Sequence, residues 1–148
     1  MFKYNHLIKV YYRDVDQMGI VYYTRYLEYF EEARTELLDS LGLTITLIED
    51  RGIQLPVIAC LCEYKRRAKL EDKLVIEASI AEIPKVKLNI NYNIFYKVSN
   101  KQLVTGYTRH AFTDKLGNPK RIPKAAAINP DRTNATKKGI SGTRKIKL

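Results

Sequence analysis

The chain has 148 residues, of which 45% are hydrophobic and 28% charged; this suits one ordinary globular domain and excludes a fibrous or low-complexity chain. No run of 18 or more apolar residues occurs, so no membrane-spanning helix is expected. The formal net charge of +10 raises the question of nucleic acid as a partner.

Residues 7–13 alternate, with Ile8, Val10 and Tyr12 on one face and Lys9, Tyr11 and Arg13 on the other, which predicts a strand. A polar segment with one glycine follows at 14–19. Residues 24–41 give the clearest helix: Tyr26, Phe30, Ala33, Leu37 and Leu41 form one stripe, widened by Leu27 and Leu38. Thr24 stands at the N-cap position and Gly42 where a C-terminal cap belongs. Residues 43–51 fit either a short helix or a turn. Four strand-like runs follow at 55–67, 73–83, 86–98 and 103–113, the third with seven apolar or aromatic residues at period two from Val86 to Val98. The short connectors at 70–72, 83–85 and 99–101 predict antiparallel hairpins between consecutive strands. One helix with a wide apolar face must bury it on a sheet, so the expected class is α+β with a five-stranded antiparallel sheet.

The charge is unevenly distributed. From Lys120 onward nine basic residues face one acid, Asp131, so this end carries +8 and residues 1–119 only +2. The predicted organisation is a domain over 1–124 and a basic, weakly ordered tail over 125–148. The tail lacks the interleaved aromatics that stack bases, so no nucleic-acid partner is expected. The first residues show no charged region followed by an apolar one, and the expected location is the cytoplasm. Cys60 and Cys62 lie two apart in a strand, too close for an ordinary disulfide, and read as buried or half-buried thiols. His6 and His110 complete no metal-ligand spacing, so no metal is expected.

The chemistry concentrates between the first strand and the helix. The segment supplies Tyr12, Asp14, Asp16, Gly19, Val21 and Tyr22, then Tyr26, Phe30, Glu32, Ala33, Arg34 and Thr35. In these residues, and in Leu55-Pro56-Val57, Gly106-Tyr107-Thr108 and Asp114 to Pro123, the sequence resembles the 4-hydroxybenzoyl-CoA thioesterase family, including the acyl-CoA thioesterases associated with the Tol-Pal system. The resemblance covers about residues 5–124. It implies a hotdog fold, a five-stranded antiparallel sheet wrapped around one long central helix, and a thioesterase acting on acyl-CoA. It also implies an active site formed between two subunits of a homodimer, with a dimer of dimers (a homotetramer) expected. The coenzyme A thioester is then the substrate, and no separate cofactor is expected.

Asp16 matches the family's catalytic carboxylate, as nucleophile or general base. It precedes a helix whose first amides are unpaired, and such donors near residues 22–24 could stabilise an oxyanion. Asp14, two residues earlier, is read as structural. Tyr23 stands where many relatives carry histidine; with an ordinary pKa of about 10 it cannot act as a base near neutrality, but its hydroxyl or amide can donate. Tyr12, Gly19, Val21, Tyr22, Val57 and Ile58 are expected to bind the substrate. Cations for the coenzyme phosphates are sought at Arg66, at Lys85 and Lys87 with Val86 between them, and at Lys120 and Arg121. Two other classes remain open: a dehydratase of the same fold, disfavoured because no histidine lies between Asp14 and Leu41, and a non-enzymatic protein binding nucleic acid or an anionic membrane through its tail.

Overall fold

The computed structural model describes residues 1–82 and 84–122; the predicted tail at 125–148 lies outside the described residues. Five strands, β1 (Phe2–Lys9), β2 (Val57–Tyr64), β3 (Lys73–Ile80), β4 (Lys87–Tyr96) and β5 (Gln102–Ala111), form one sheet, with two helices, α1 (Arg25–Ser40) and α2 (Ile45–Asp50). Every strand pairing is antiparallel. The α+β class and the five-stranded sheet are as expected.

The strand order is β1-β3-β4-β5-β2. Hairpins join β3 to β4 and β4 to β5, but β2 and β3 do not pair, which corrects the hairpin expected at 70–72. The chain after β2 crosses beneath the start of α1 instead. Val21 N–H donates to the Ala68 carbonyl and Leu70 N–H to that of Gly19, while Ala68 N–H donates to Tyr26 Oη. β1 also differs from its predicted span of 7–13. It begins at Phe2 and leaves the sheet after Lys9, because Tyr11 N–H turns to the Asp14 carboxylate and residues 12–14 wind into a single 3-10 turn.

α1 buries Tyr26, Tyr29, Phe30, Ala33, Leu37 and Leu38 in one cluster with β-strand residues such as Leu74, Ile76, Ile90 and Ile94. Leu27, expected on that stripe, is exposed. Thr24 holds the N-cap position, but its side chain makes no capping bond. The other end closes as the sequence suggests. Gly42 has φ +81°, and Gly42 and Leu43 N–H donate to the Asp39 and Leu38 carbonyls, a Schellman arrangement that needs a left-handed residue. Phe30 stacks on Tyr92 with centroids 4.2 Å apart. Gly106 permits this approach: a Cβ there would lie 2.2 Å from the Leu61 carbonyl oxygen and 2.9 Å from the Phe30 ring.

β2 is an edge strand, and Val57, Ile58, Leu61 and Tyr64 are all exposed on it. Cys60 is exposed as well and Cys62 half-buried, both free, so the expectation of covered thiols fails at Cys60. β2 pairs with β5 on one side only, Cys60 standing opposite Thr108, so its side chain lacks the second flanking strand of a central position.

Candidate active site

The segment between β1 and α1 folds back on itself. Val15 bridges Val21, Asp16 N–H donates to the Ile20 carbonyl, and Tyr22 N–H donates to that of Asp14. Gly19 turns the corner at φ +74°, a conformation other residues rarely adopt. Two carboxylates thus sit on one arm of a miniature hairpin.

Their environments differ. Asp14 is 2% exposed. Its Oδ2 accepts from Tyr11 N–H at 2.8 Å, and its Oδ1 accepts from Arg25 Nε at 3.0 Å and from Arg25 Nη2. Arg25 also pairs with Glu28. Asp14 ties the chain before α1 to the first turn of that helix. Asp16 is half-buried. Its Oδ1 accepts from Met18 N–H at 2.8 Å and Ile20 N–H at 3.3 Å, while Oδ2 meets no donor among the described residues. The carboxylate opens on a cleft lined by Tyr12, Val15, Gln17, Gly19 and Leu70.

At the helix start, the Tyr22 amide is taken by Asp14, which narrows the donors expected at residues 22–24. Among the described residues the amides of Tyr23 and Thr24 meet no acceptor. Neither residue lines the Asp16 cleft. Tyr23 lies in an aromatic group: its ring centroid is 4.9 Å from that of Tyr22 and 6.4 Å from that of Tyr64. Tyr64 Oη donates to the Tyr23 carbonyl at 3.1 Å. Tyr64 escapes the sequence reading, since a tyrosine ending an edge strand has no distinctive spacing.

The remaining expected contacts divide between the two ends of the sheet. Tyr12 and Gly19 border Asp16, Tyr22 stands exposed beside Tyr23, and Val21 is buried in the core. Arg66 lies at the same end as Tyr64, with Nη1 donating to the Gln102 carbonyl. Val57 and Ile58 begin β2 at the opposite end. Lys87 pairs there with Ala111, and Lys120 N–H donates to the Phe112 carbonyl, so Lys85, Val86, Lys87, Lys120 and Arg121 gather at that end too. Seven residue steps along β2 separate the ends by roughly 23 Å. Within one chain, Asp16 and Arg66 are therefore apart from Val57, Ile58 and the other cations.

His110 is buried, and its ring bonds the Leu55 carbonyl and Thr108 Oγ1, which continues to Tyr92 and Arg34. Burial pushes its pKa below the usual value, and the Arg34 charge adds to this. The network spans the core from α1 to the start of β2. Among the described residues no cluster of metal-ligating side chains occurs, and no helix is long and apolar enough to cross a membrane.

Residues 10–131 match the family model of the thioesterase-like superfamily. An acyl-CoA thioesterase of Haemophilus influenzae is 42% identical over 77 residues, 51% of this chain and 57% of that protein. A Bacillus subtilis protein described as a putative acyl-CoA thioesterase is 31% identical over 108 residues, 73% of this chain and 78% of the relative. The crystal structure of a probable thioesterase from Bartonella henselae superposes with a TM-score of 0.74 at 28% identity, over 82% of this chain and 99% of that one. The match to the family model spans the miniature hairpin, both helices and four of the five strands, and the chain belongs to the thioesterase-like superfamily.

Proposed function

We propose that this thioesterase-family enzyme hydrolyses the thioester of an acyl-CoA carrying a short or aromatic acyl group, with Asp16 as the reacting carboxylate. One observation carries the reading: Asp16 lines an open cleft and is held by two backbone amides through one oxygen, while its other oxygen takes no hydrogen bond among the described residues. Such a group is oriented without being consumed, as a nucleophile or base must be.

Asp16 acts in one of two ways. Attack of Oδ2 on the thioester carbonyl forms an anhydride and releases the coenzyme thiolate, and water then hydrolyses the anhydride. Alternatively Oδ2 takes a proton from a water that adds to the carbonyl. Either path puts negative charge on the carbonyl oxygen, and the unpaired amides of Tyr23 and Thr24, at the positive end of α1, suit that charge. Asp16 and Tyr22 lie on opposite arms of the miniature hairpin, two residue steps apart along it, roughly 7 Å in that direction, and the Tyr23 and Thr24 amides follow Tyr22 directly. The tyrosines at 22, 23 and 64 favour a compact or aromatic acyl group. The reaction needs no cofactor beyond the coenzyme in the substrate.

The division of the expected contacts supports a homodimer with sites shared between copies. β2 offers an unpaired edge with exposed Val57, Ile58, Leu61 and Tyr64, and such edges are normally blunted or covered. Antiparallel pairing of β2 with its copy brings Val57, Ile58 and the Lys85–Lys87 end of one subunit to the Tyr23–Asp16 end of the other. In this reading the joined sheet curls around α1 as the central helix of a hotdog fold, two dimers form a tetramer, and the enzyme works in the cytoplasm. Thiol release across a panel of acyl-CoAs, with light scattering for mass, tests the proposal. Turnover of a short or benzoyl-type thioester by a dimer or tetramer is expected; a monomer active on no acyl-CoA overturns it.

A further inference from the structure

The buried chain of polar groups that ends at His110 has a fixed direction. The Arg34 guanidinium can only donate and the Leu55 carbonyl can only accept. Between them stand Tyr92 Oη, 3.2 Å from Arg34 Nη1, and Thr108 Oγ1, 2.7 Å from Tyr92 Oη. The His110 ring follows, with Nε2 2.9 Å from Thr108 Oγ1 and Nδ1 3.2 Å from the Leu55 oxygen. Nδ1 must therefore carry the proton. Burial lowers the pKa of the ring, so near neutral pH Nε2 is an acceptor. Thr108 then donates to His110, Tyr92 to Thr108, and Arg34 to Tyr92, which commits every hydrogen in the chain.

The far end of this chain grips the segment that opens β2. Gln54 exchanges both backbone bonds with Thr113, and the Pro56 carbonyl accepts from Ala111 N–H. The Leu55 carbonyl, between them, accepts no backbone N–H among the described residues; the His110 ring holds it. The β2–β5 register then slips. Val57 stands opposite His110 and Ala59 opposite Arg109, so Ile58 is the extra residue of a β-bulge. Bulges bend a strand, re-aim a side chain and are common beside active sites. Val57 and Ile58 are 50% and 49% exposed, whereas His110 across from them is 1% exposed. His110 thus holds the chain on both sides of Pro56, by its pairing with Val57 and by its ring at Leu55, and is too covered to touch a substrate itself.

We propose that His110 is a positioning residue for acyl recognition: through the Leu55 carbonyl it fixes the bulge at 57–59, and so the place of Val57 and Ile58 as the wall that meets the acyl group. This rests on the reading of those two residues as substrate contacts in a site shared between copies. Arg34, Tyr92 and Thr108 act one step further back, by fixing which ring nitrogen donates.

Two measurements on the full chain test it. The first is the nitrogen NMR signature of the imidazoles, with only His6 and His110 in the sequence. The Nδ1–H tautomer is expected at His110; the Nε2–H tautomer leaves no donor for Leu55 and overturns the proposal. The second is calorimetric binding, which reads the site without turnover. The probes are the benzyl thioether of coenzyme A, which cannot be hydrolysed, and free coenzyme A. His110→Leu removes the donor and is expected to weaken the thioether about tenfold, with free coenzyme A within about twofold of the parent. His110→Asn, whose amide nitrogen falls near the place of Nδ1, should restore most of the loss. Ile58→Ala, at an exposed position, should show the same selective loss without a buried change. Equal weakening of both probes in His110→Leu, or undiminished thioether binding in either His110→Leu or Ile58→Ala, would overturn the proposal. A parent that prefers the thioether but releases no thiol from any acyl-CoA would sink the hydrolase reading and leave this one standing. A parent that hydrolyses acyl-CoA but binds both probes alike would do the reverse.

Discussion

Asp14 and Asp16 are the same residue type on one short segment, yet the fold uses them oppositely. Asp14 spends both oxygens, on the Tyr11 amide and on Arg25, and is almost wholly covered. Asp16 spends one oxygen on two amides, leaves the other without a hydrogen bond among the described residues, and lines a cleft. A carboxylate whose bonds are complete holds a loop; one whose bonds are half complete keeps an oxygen free, as the role proposed for Asp16 requires. The distinction lies in the count of satisfied lone pairs.

Substitutions separate the two roles. The largest effect is expected at Asp16→Asn, which keeps the side chain's shape and removes its charge: thiol release should fall about a thousandfold or more, with a melting temperature close to the parent's. Asp14→Asn should do the reverse. It leaves the partly covered Arg25 with only the exposed Glu28 as counter-charge, and chemical denaturation should show a loss of about 2–3 kcal/mol, below the range for fully buried pairs because Arg25 keeps some solvent and a second partner. Turnover should stay within about tenfold of the parent wherever the variant is folded.

His110 provides a third point of comparison, a buried polar group away from both carboxylates. Its native pKa lies below the ordinary 6.5, so the unfolded chain takes up a proton that the native state refuses. Its contribution is therefore undiminished above the unfolded value and is lost as pH falls below 6.5, by at most about 1.4 kcal/mol per pH unit. Denaturation at pH 7 and pH 5.5 measures the loss, and His110→Gln should reduce this dependence. The smallest effect is expected at Tyr23→Phe. If the backbone amide, not the hydroxyl, is the donor, kcat should change by less than about threefold, whereas a hundredfold loss would assign the hydroxyl a role in proton transfer.

Much of this was legible in the sequence, and the parts that were not share a cause. The stripe from Tyr26 to Leu37 and the alternation from Leu88 to Ile94 are local, and the fold keeps them. Which strands are neighbours is a long-range property: no periodicity says that β1 pairs with β3, or that β2 takes the edge and exposes Cys60 and Leu61. β1 was placed late because the alternation runs on through Tyr11, and only the bond from its amide to Asp14 ends the strand. The contrast between Asp14 and Asp16 was legible through the motif around them. Tyr64 and the Arg34–Tyr92–Thr108–His110 chain were not, since their members meet only when separate elements pack together.

The central claim is tested most directly by measuring thiol release from one acyl-CoA substrate by Asp16→Asn and Asp14→Asn side by side, at a temperature where both are folded by circular dichroism. The account predicts that the Asp16 variant is folded and inactive and that the Asp14 variant is destabilised and active. An active Asp16→Asn, or equal losses in the two variants, would contradict it.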